Sequence, residues 1–186
     1  MQAKLYSEIE LMVCATANQY LEVQVNKGRM SVESLERVTA SWQARNRPQV
    51  IGFMYDQATQ RDLISYNMEA FRFYGPQASN LMAMSSMMQA WKTMAREMAV
   101  RTFCTPDSVV KKHLKDAYRI LEMLGAPLVT FLAFQEIATK ASAIMAEERR
   151  KREEQRSVKF GIERQWEPPK RSEEEIERLE MENPFA

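Results

Sequence analysis

The chain has 186 residues and a formal net charge of +1, so no global field attracts nucleic acid or anionic lipid. Its five glycines leave little room for a phosphate-binding loop, and no short nucleotide-binding or zinc-protease motif occurs. Cys14 and Cys104 are far apart and lack metal-ligand spacing, which favours a reduced intracellular protein without a cofactor. No long uninterrupted apolar run occurs, and we therefore expect no membrane insertion.

Two helices are predicted in the first part of the chain. Apolar residues recur at helical spacing over residues 3–26, and Gly28 stands where a left-handed residue would end that helix. Ser31 is a good N-cap for the second helix, which carries an apolar stripe from Val32 to Trp42. The Arg47-Pro48 pair ends this helix, because the proline ring disfavours helical backbone in the residue before it.

The stretch 48–74 is ambiguous from its sequence. Residues 50–55 resemble a short buried strand, but no second convincing strand exists to pair with them. We therefore predict a helix with Pro48 at its first position, and Asp56 as an N-cap is the alternative start. From Leu63 to Tyr74 one apolar face recurs at helical spacing, which predicts a helix that continues to the Gly-Pro pair after it.

The rest of the chain is organised around a methionine-rich stretch at roughly 80–102. Its apolar residues alternate in steps of three and four, which predicts a helix with one strongly apolar stripe. Unbranched thioethers adapt to varied partners, so the stripe is either a groove for another helix or the buried centre of its own domain. The candidate partner-binding residues on the stripe are Met84, Met88, Trp91 and Met98.

Two further helices are predicted after residue 105. Thr105-Pro106-Asp107 is a helix start signal, Gly125 ends that helix, and Pro127 begins the last long one. So short a turn predicts an antiparallel hairpin of helices 106–124 and 127–157. Beyond Met145 the apolar face disappears, and opposite charges four residues apart stabilise a helix that protrudes into solvent. These predicted pairs are Glu147–Lys151, Glu148–Arg152, Arg149–Glu153 and Arg150–Glu154.

Together these patterns predict an all-α fold, a bundle of about five or six helices with antiparallel hairpins and a long protruding charged C-terminal helix. We assign residues 1–160 to this helical domain. Residues 161–186 are richer in acids than in bases and are predicted to form a flexible tail. Ser172 and Glu175 make a capping box, which predicts a short helix at about 173–181 within that tail.

The C-terminal region contains a basic cluster that could address an import receptor. Its glutamate flanks favour the alternative, a self-paired solvated helix, and they leave little positive field for nucleic acid. The nuclear-import candidates are Arg149, Arg150, Lys151 and Arg152.

Two aromatic residues of the tail are candidate partner-binding residues. Phe185 lies in Asn183-Pro184-Phe185, which resembles the tripeptide that EH domains of endocytic adaptors bind. Trp166 stands alone in a polar segment, and so large an apolar side chain tends to dock on the domain or on a partner.

No set of residues predicts catalysis or metal binding. His113 is the only histidine, and neither a zinc site nor a His–Cys pair with Cys14 or Cys104 has a supporting spacing. A ligand site between helices would instead require polar core residues that converge on one cavity. The candidates for such convergence are Asn67, Tyr74, His113 and Tyr118.

Four segments carry a resemblance to a protein family: RPQVIGFMYDQATQRDL, FRFYGP, EMAVRTFCTPDSV and LEMLGAPLVTFLAFQEI. Over about residues 35–145 the chain resembles a family of uncharacterised proteins from filamentous fungi. The resemblance implies a eukaryotic intracellular protein, and it implies no activity, cofactor or site residue.

The sequence therefore favours a non-enzymatic, intracellular interaction or scaffold subunit that associates with itself or with another protein. A nuclear regulator or an adaptor, located in the nucleus or cytoplasm and acting through the basic cluster and the tail, is one alternative. A small helical enzyme or ligand-binding bundle is the other.

Overall fold

The computed structural model describes residues 2–100 and 105–165, with side chains as far as Ser157. These residues form six helices and no strand, which confirms the predicted all-α bundle and its long C-terminal helix. The helices are α1 (Gln2–Asn26), α2 (Val32–Ala44), α3 (Gln57–Tyr66), α4 (Leu81–Ala99), α5 (Asp107–Met123) and α6 (Leu128–Gln165).

Helix α4 lies at the centre of the bundle. It packs against α3 and α5, while α1 packs against the same two helices and α2 packs against α3. Within the described residues, α6 belongs to none of these closely packed pairs, and its rings Phe131 and Phe134 contact Tyr118 of α5 instead. The chain divides into two compact units, and the first, residues 1–142, contains α1 to α5 and the start of α6.

The helix starts of α2, α3 and α4 are capped by short polar side chains. Ser31 accepts a hydrogen bond from Ser34 N at 3.4 Å, Asp56 from Thr59 N at 2.8 Å, and Asn80 from Ala83 N at 3.1 Å. Each cap satisfies one of the backbone N–H groups that a helix start leaves without a partner. The caps at Ser31 and Asp56 are the ones that the sequence offered.

The predicted helix start at Pro48 is wrong, and residues 48–56 form a loop. Trp42 Nε1 donates a 2.7 Å hydrogen bond to Pro48 O, and Phe53 N donates one of 2.8 Å to Asn18 Oδ1. These side chains of α1 and α2 take up loop groups that a helix would have paired internally. The loop is neither helix nor strand, and α3 begins after Asp56, the alternative start.

The predicted continuation of α3 to Tyr74 is also wrong, since the helix ends at Tyr66. Phe71 and Phe73 are both buried, and the ring centroids of both lie 5.8 Å from that of Tyr20 in α1. Residues two apart point to opposite sides of a helix, so an irregular segment is needed to bury both rings in one place. Contacts with α1 thus override the helical spacing of this stretch.

The helices that flank the centre end close to the predicted positions. Gly28 and Gly125 have positive φ angles of 64° and 70° after α1 and α5, as expected of residues that end a helix. Helix α5 begins at Asp107 with Pro106 at the N-cap, one residue later than the predicted threonine cap.

Helix α6 continues to Gln165, beyond the predicted end at 157. In the second compact unit, three of the predicted ion pairs are present, with N···O distances of 2.7, 3.5 and 3.6 Å. They are Lys151–Glu147, Arg152–Glu148 and Arg150–Glu154. The remaining predicted tail, including the short helix at 173–181, lies outside the described residues.

Candidate functional site

A cavity of about 620 Å³ lies between α4, α5 and the segment 74–77 that precedes α4. Its apolar wall is made of Met84, Met87 and Met123, and the rings of Tyr74 and Tyr118 line it as well. The volume falls within the range of about 300–1,000 Å³ that is typical of small-molecule sites.

The segment that covers the cavity is fixed to the end of α5. Tyr74 N donates a 3.0 Å hydrogen bond to Met123 O, and the Tyr74 ring lies against Gly125. Gly75 has a φ angle of 83° and contacts the side chain of Glu122. Any larger residue would be strained at both glycines, because their φ angles are positive. The hydrogen bond and the two contacts together hold this wall of the cavity in place.

Charged residues of α5 line the same cavity. Asp116 Oδ2 lies 3.1 Å from Lys112 Nζ, although it receives no well-aligned hydrogen bond. Lys115 and Arg119 are exposed, one turn apart, and neither forms an ion pair with a described residue. Because Asp116 is already matched by Lys112, these two cations remain available to a ligand.

Two of the four polar residues proposed for convergence meet at this cavity. Tyr74 and Tyr118 line it, whereas Asn67 and His113 are buried elsewhere. Asn67 is fully used by its neighbours: its amide donates to Leu63 O at 2.7 Å and its oxygen accepts from Ser31 N at 2.8 Å. It therefore connects the end of α3 to the start of α2.

His113 links three helices. Its Nδ1 lies 3.1 Å from Tyr6 Oη of α1, and its Nε2 lies 2.7 Å from Glu97 Oε2 of α4. Burial, with Glu97 nearby as a smaller effect, raises the pKa of Tyr6. Both ring nitrogens of His113 are thus engaged by neighbouring side chains.

The described cysteine is poorly suited to nucleophilic chemistry. Burial, with Glu10 and Asp56 as smaller effects, raises the pKa of the Cys14 thiol to about 12. The thiol is therefore protonated at neutral pH, whereas a nucleophile needs the thiolate. Cys104 lies outside the described residues.

The methionine stripe of α4 lies inside the domain. Met84, Met88, Trp91 and Met98 are all buried, so the second interpretation of the stripe, a buried centre, describes their positions. Trp91 Nε1 also donates a 2.8 Å hydrogen bond to Gln57 Oε1. The use of these four residues in binding a partner stays a prediction.

The start of α6 carries an exposed apolar cluster of Leu128, Val129 and Leu132, with exposed fractions of 73, 70 and 58%. Such positions in a packed helix are normally buried. Among the described residues, one segment, Leu128–Ser157, is long and apolar enough to cross a membrane, by length and composition only. Only 17% of its most apolar window is buried.

The basic cluster of α6 is solvent-exposed. The side chains of Arg150, Lys151 and Arg152 are 70, 60 and 67% exposed, and each forms an ion pair with a glutamate one turn away. Arg149 is exposed too. Their use as an import signal stays a prediction, and Trp166 and Phe185 lie outside the described residues.

The cation pair of the cavity was not predicted from the sequence. A signal for it exists, since Lys115 and Arg119 are four residues apart and flank the apolar seam of α5. Nothing in the sequence indicates that the segment 74–77 would cover this turn of the helix. That segment was predicted only as the break at Gly75-Pro76 after a helix that ends at Tyr74.

No group of three or more histidine, cysteine or acidic side chains in the described ranges could hold a metal ion. Comparison of the chain with protein-family models, curated proteins and solved structures finds no significant match. The resemblance to proteins of filamentous fungi therefore stays a prediction that rests on the four segments alone.

Proposed function

We propose that this protein is a non-enzymatic interaction subunit that associates with a second copy of itself through the start of α6. The observation that supports this function is the exposed apolar cluster Leu128, Val129 and Leu132. Leu128 and Leu132 are one helical turn apart, so they form a continuous stripe with Val129 beside them. A stripe of this kind is the usual docking face of a helix.

The charges that continue the stripe support a second copy as the partner. Glu136 and Lys140 follow Leu132 at four-residue steps, and they form an exposed ion pair within the helix. When two such helices run antiparallel and cross at residue 138, Glu136 of one copy faces Lys140 of the other, Leu132 faces the exposed Ile144, and symmetry repeats both pairs. A twofold interface must be complementary to itself in this way.

The same charges argue against a lipid environment for this segment. Glu136 and Lys140 lie inside the window that is apolar enough to cross a membrane. Full charges in the hydrocarbon core are costly, whereas they are easily tolerated at the rim of a protein interface. We therefore propose a protein surface as the environment of the apolar cluster.

The test is the mass of the full chain in solution, measured by sedimentation equilibrium over a wide range of concentration. The chain has a mass of 21.7 kDa, and we expect the wild type to approach twice that value. We expect the Leu128→Glu/Leu132→Glu variant to remain a monomer, because it would bury charges at the interface. A wild type that stays monomeric at every concentration overturns the proposal.

A matched control places the same charges on other exposed apolar residues. Ile51 and Met82 are 89 and 84% exposed and lie outside α6. We expect the Ile51→Glu/Met82→Glu variant to associate like the wild type. Equal loss of association in both double variants would mean that added charge alone, and not the start of α6, controls association.

A charge exchange tests the antiparallel arrangement. Lys140→Glu leaves two acidic residues on the stripe, so each copy repels the other and association weakens. The Glu136→Lys/Lys140→Glu double variant restores opposite charges in both contacts, and we expect it to associate again. An equally weak double variant contradicts this arrangement while leaving the apolar contact intact.

A further inference from the structure

We propose that the cavity between α4, α5 and the segment 74–77 binds a small organic monoanion with an apolar body, of the medium-chain carboxylate class. The proposal depends on the cavity and not on the association of α6. It combines two features of the same cavity, a pair of cations without ion-pair partners among the described residues and an apolar surface of Met87 and the rings of Tyr74 and Tyr118.

The anionic end of the ligand is recognised by Lys115 and Arg119. Both side chains line the cavity, are exposed, and form no ion pair with a described residue. One turn of helix separates them, so both can reach one carboxylate, and the guanidinium can bind it with two parallel hydrogen bonds. A lysine and an arginine together make a strong site for such a group.

The balance of charge selects a single negative charge. The cavity is lined by two cations, Lys115 and Arg119, and two carboxylates, Asp116 and Glu122, and Lys112 outside the lining neutralises Asp116. One positive charge is left over, which a monoanion neutralises. A phosphate dianion would exceed this balance and would also be repelled by the two carboxylates.

The body of the ligand is recognised by apolar contacts. Met87 on α4 is partly exposed and presents its side chain to the cavity, whereas Met84 and Met123 are fully buried and support this wall from behind. Methionine side chains are flexible and polarisable, so they fit alkyl chains of varied shape. The rings of Tyr74 and Tyr118 enlarge this apolar surface and bring hydroxyl groups to the same cavity.

The test is isothermal titration calorimetry of the full chain with octanoate, 1-octanol and inorganic phosphate. We expect octanoate to bind at one site per chain. 1-Octanol keeps the apolar body without the charge, and phosphate keeps the charge without the body. We expect both to bind at least about tenfold more weakly than octanoate, since each lacks one of the two contacts.

Variants at the cations test which residues carry the recognition. Lys115→Met/Arg119→Met keeps the alkyl stems and removes both charges. We expect it to weaken octanoate binding by about 10–100-fold, the usual value of a charge-assisted hydrogen bond, and to leave 1-octanol unchanged. The matched control is Lys27→Met/Lys111→Met, which removes two exposed cations outside the cavity and should bind octanoate like the wild type.

A cavity-filling variant confirms the location of the site. Ser86 is exposed on α4 and lines the cavity, so Ser86→Trp can fill it without disturbing the buried core. We expect this variant to keep its helical circular dichroism and to lose octanoate and 1-octanol binding together. The proposal is overturned by absent octanoate binding, by equal binding of octanoate and 1-octanol, or by wild-type affinity in Lys115→Met/Arg119→Met.

Discussion

Trp91 Nε1 in α4 donates a 2.8 Å hydrogen bond to Gln57 Oε1 in α3. Trp91 is fully buried and Gln57 is nearly so. A buried polar atom that loses its partner costs about 1–3 kcal/mol, so the pair fixes how the two helices face one another. The central helix is thus positioned by one polar contact as well as by its apolar stripe.

Replacement of Trp91 should test this contact directly. We expect Trp91→Phe to lower the free energy of unfolding by about 2–4 kcal/mol, because it leaves a void and an unpaired Gln57 oxygen. Gln57→Met should cost about 1–3 kcal/mol through the unpaired indole N–H. Urea unfolding of both variants and of the double variant measures the coupling. Strictly additive costs would contradict a hydrogen bond that matters for stability.

The glycine that ends α5 should be far less replaceable than the one that ends α1. Gly28 and Gly125 have similar positive φ angles of 64° and 70°. A Cβ added at Gly28 meets nothing within 4 Å, whereas one at Gly125 would lie 2.5 Å from the Tyr74 ring. We expect Gly28→Ala to cost about 1 kcal/mol from backbone strain alone, and Gly125→Ala to cost clearly more.

The thermal midpoints of these two alanine variants provide the comparison. Tyr74→Ala removes the clashing ring. In that background, the loss of stability caused by Gly125→Ala should fall to the loss that Gly28→Ala causes in the wild type. Equal midpoints for the two single variants would show that the Tyr74 ring moves away from the new methyl group without loss of stability.

Much of the fold could be predicted from the sequence because its signals are local. The caps at Ser31 and Asp56 and the end signals at Gly28 and Gly125 act within a few residues of the backbone they affect. The effect of such signals does not depend on tertiary contacts with the rest of the chain. The apolar stripe of α4 likewise depends on spacing alone, and it predicted a buried helix as one of two outcomes.

The wrong predictions share a physical cause, which is long-range contact. The loop at 48–56 is held by Asn18 and Trp42, and the segment after Tyr66 follows the packing of Phe71 and Phe73 on α1. Local spacing contains no information about these partners. The candidate cavity was missed for the same reason, since its cover comes from a segment that contacts α5 from far along the chain.

Asn67 should be a residue of stability and not of ligand binding. It is buried, its amide donates to Leu63 O, and its oxygen accepts from Ser31 N. We expect Asn67→Leu to lower the free energy of unfolding by about 2–4 kcal/mol, because it leaves Leu63 O and Ser31 N without their hydrogen-bond partner. Asn26→Leu, at an exposed helix end, should change it by less than about 0.5 kcal/mol.

Urea titration with both variants decides this point. Octanoate affinity should be the same in Asn67→Leu as in the wild type, provided that the variant is studied below its unfolding transition. A weaker affinity there would place Asn67 in the site after all.

The stability of the fold should decline in alkali. Burial raises the pKa of the Cys14 thiol to about 12, and burial, as the largest cause, also raises the pKa of Tyr20. The unfolded chain therefore releases these protons at lower pH than the folded one. The stabilisation is complete below the unfolded thiol pKa of about 8.5, and it is lost as the pH rises toward the folded values.

The measurement is the free energy of unfolding in urea between about pH 8 and pH 11. We expect it to fall with pH in the wild type, and to fall less steeply in Cys14→Ala/Tyr20→Phe. The slope is the relevant quantity, since the double variant also loses the 3.3 Å hydrogen bond from Tyr20 Oη to Arg72 O at every pH. Parallel slopes would contradict a contribution of these two groups.

The burial of the α4 methionines also sets the response of the protein to oxidants. Met84, Met88, Met94 and Met98 are buried, while Met82, two residues before Met84, is exposed to solvent. Peroxide converts accessible methionine into a polar sulfoxide, which a packed core does not tolerate. Of the α4 methionines, Met82 should thus be oxidised first, without loss of the fold. Oxidation of the buried methionines would require that the bundle had opened transiently.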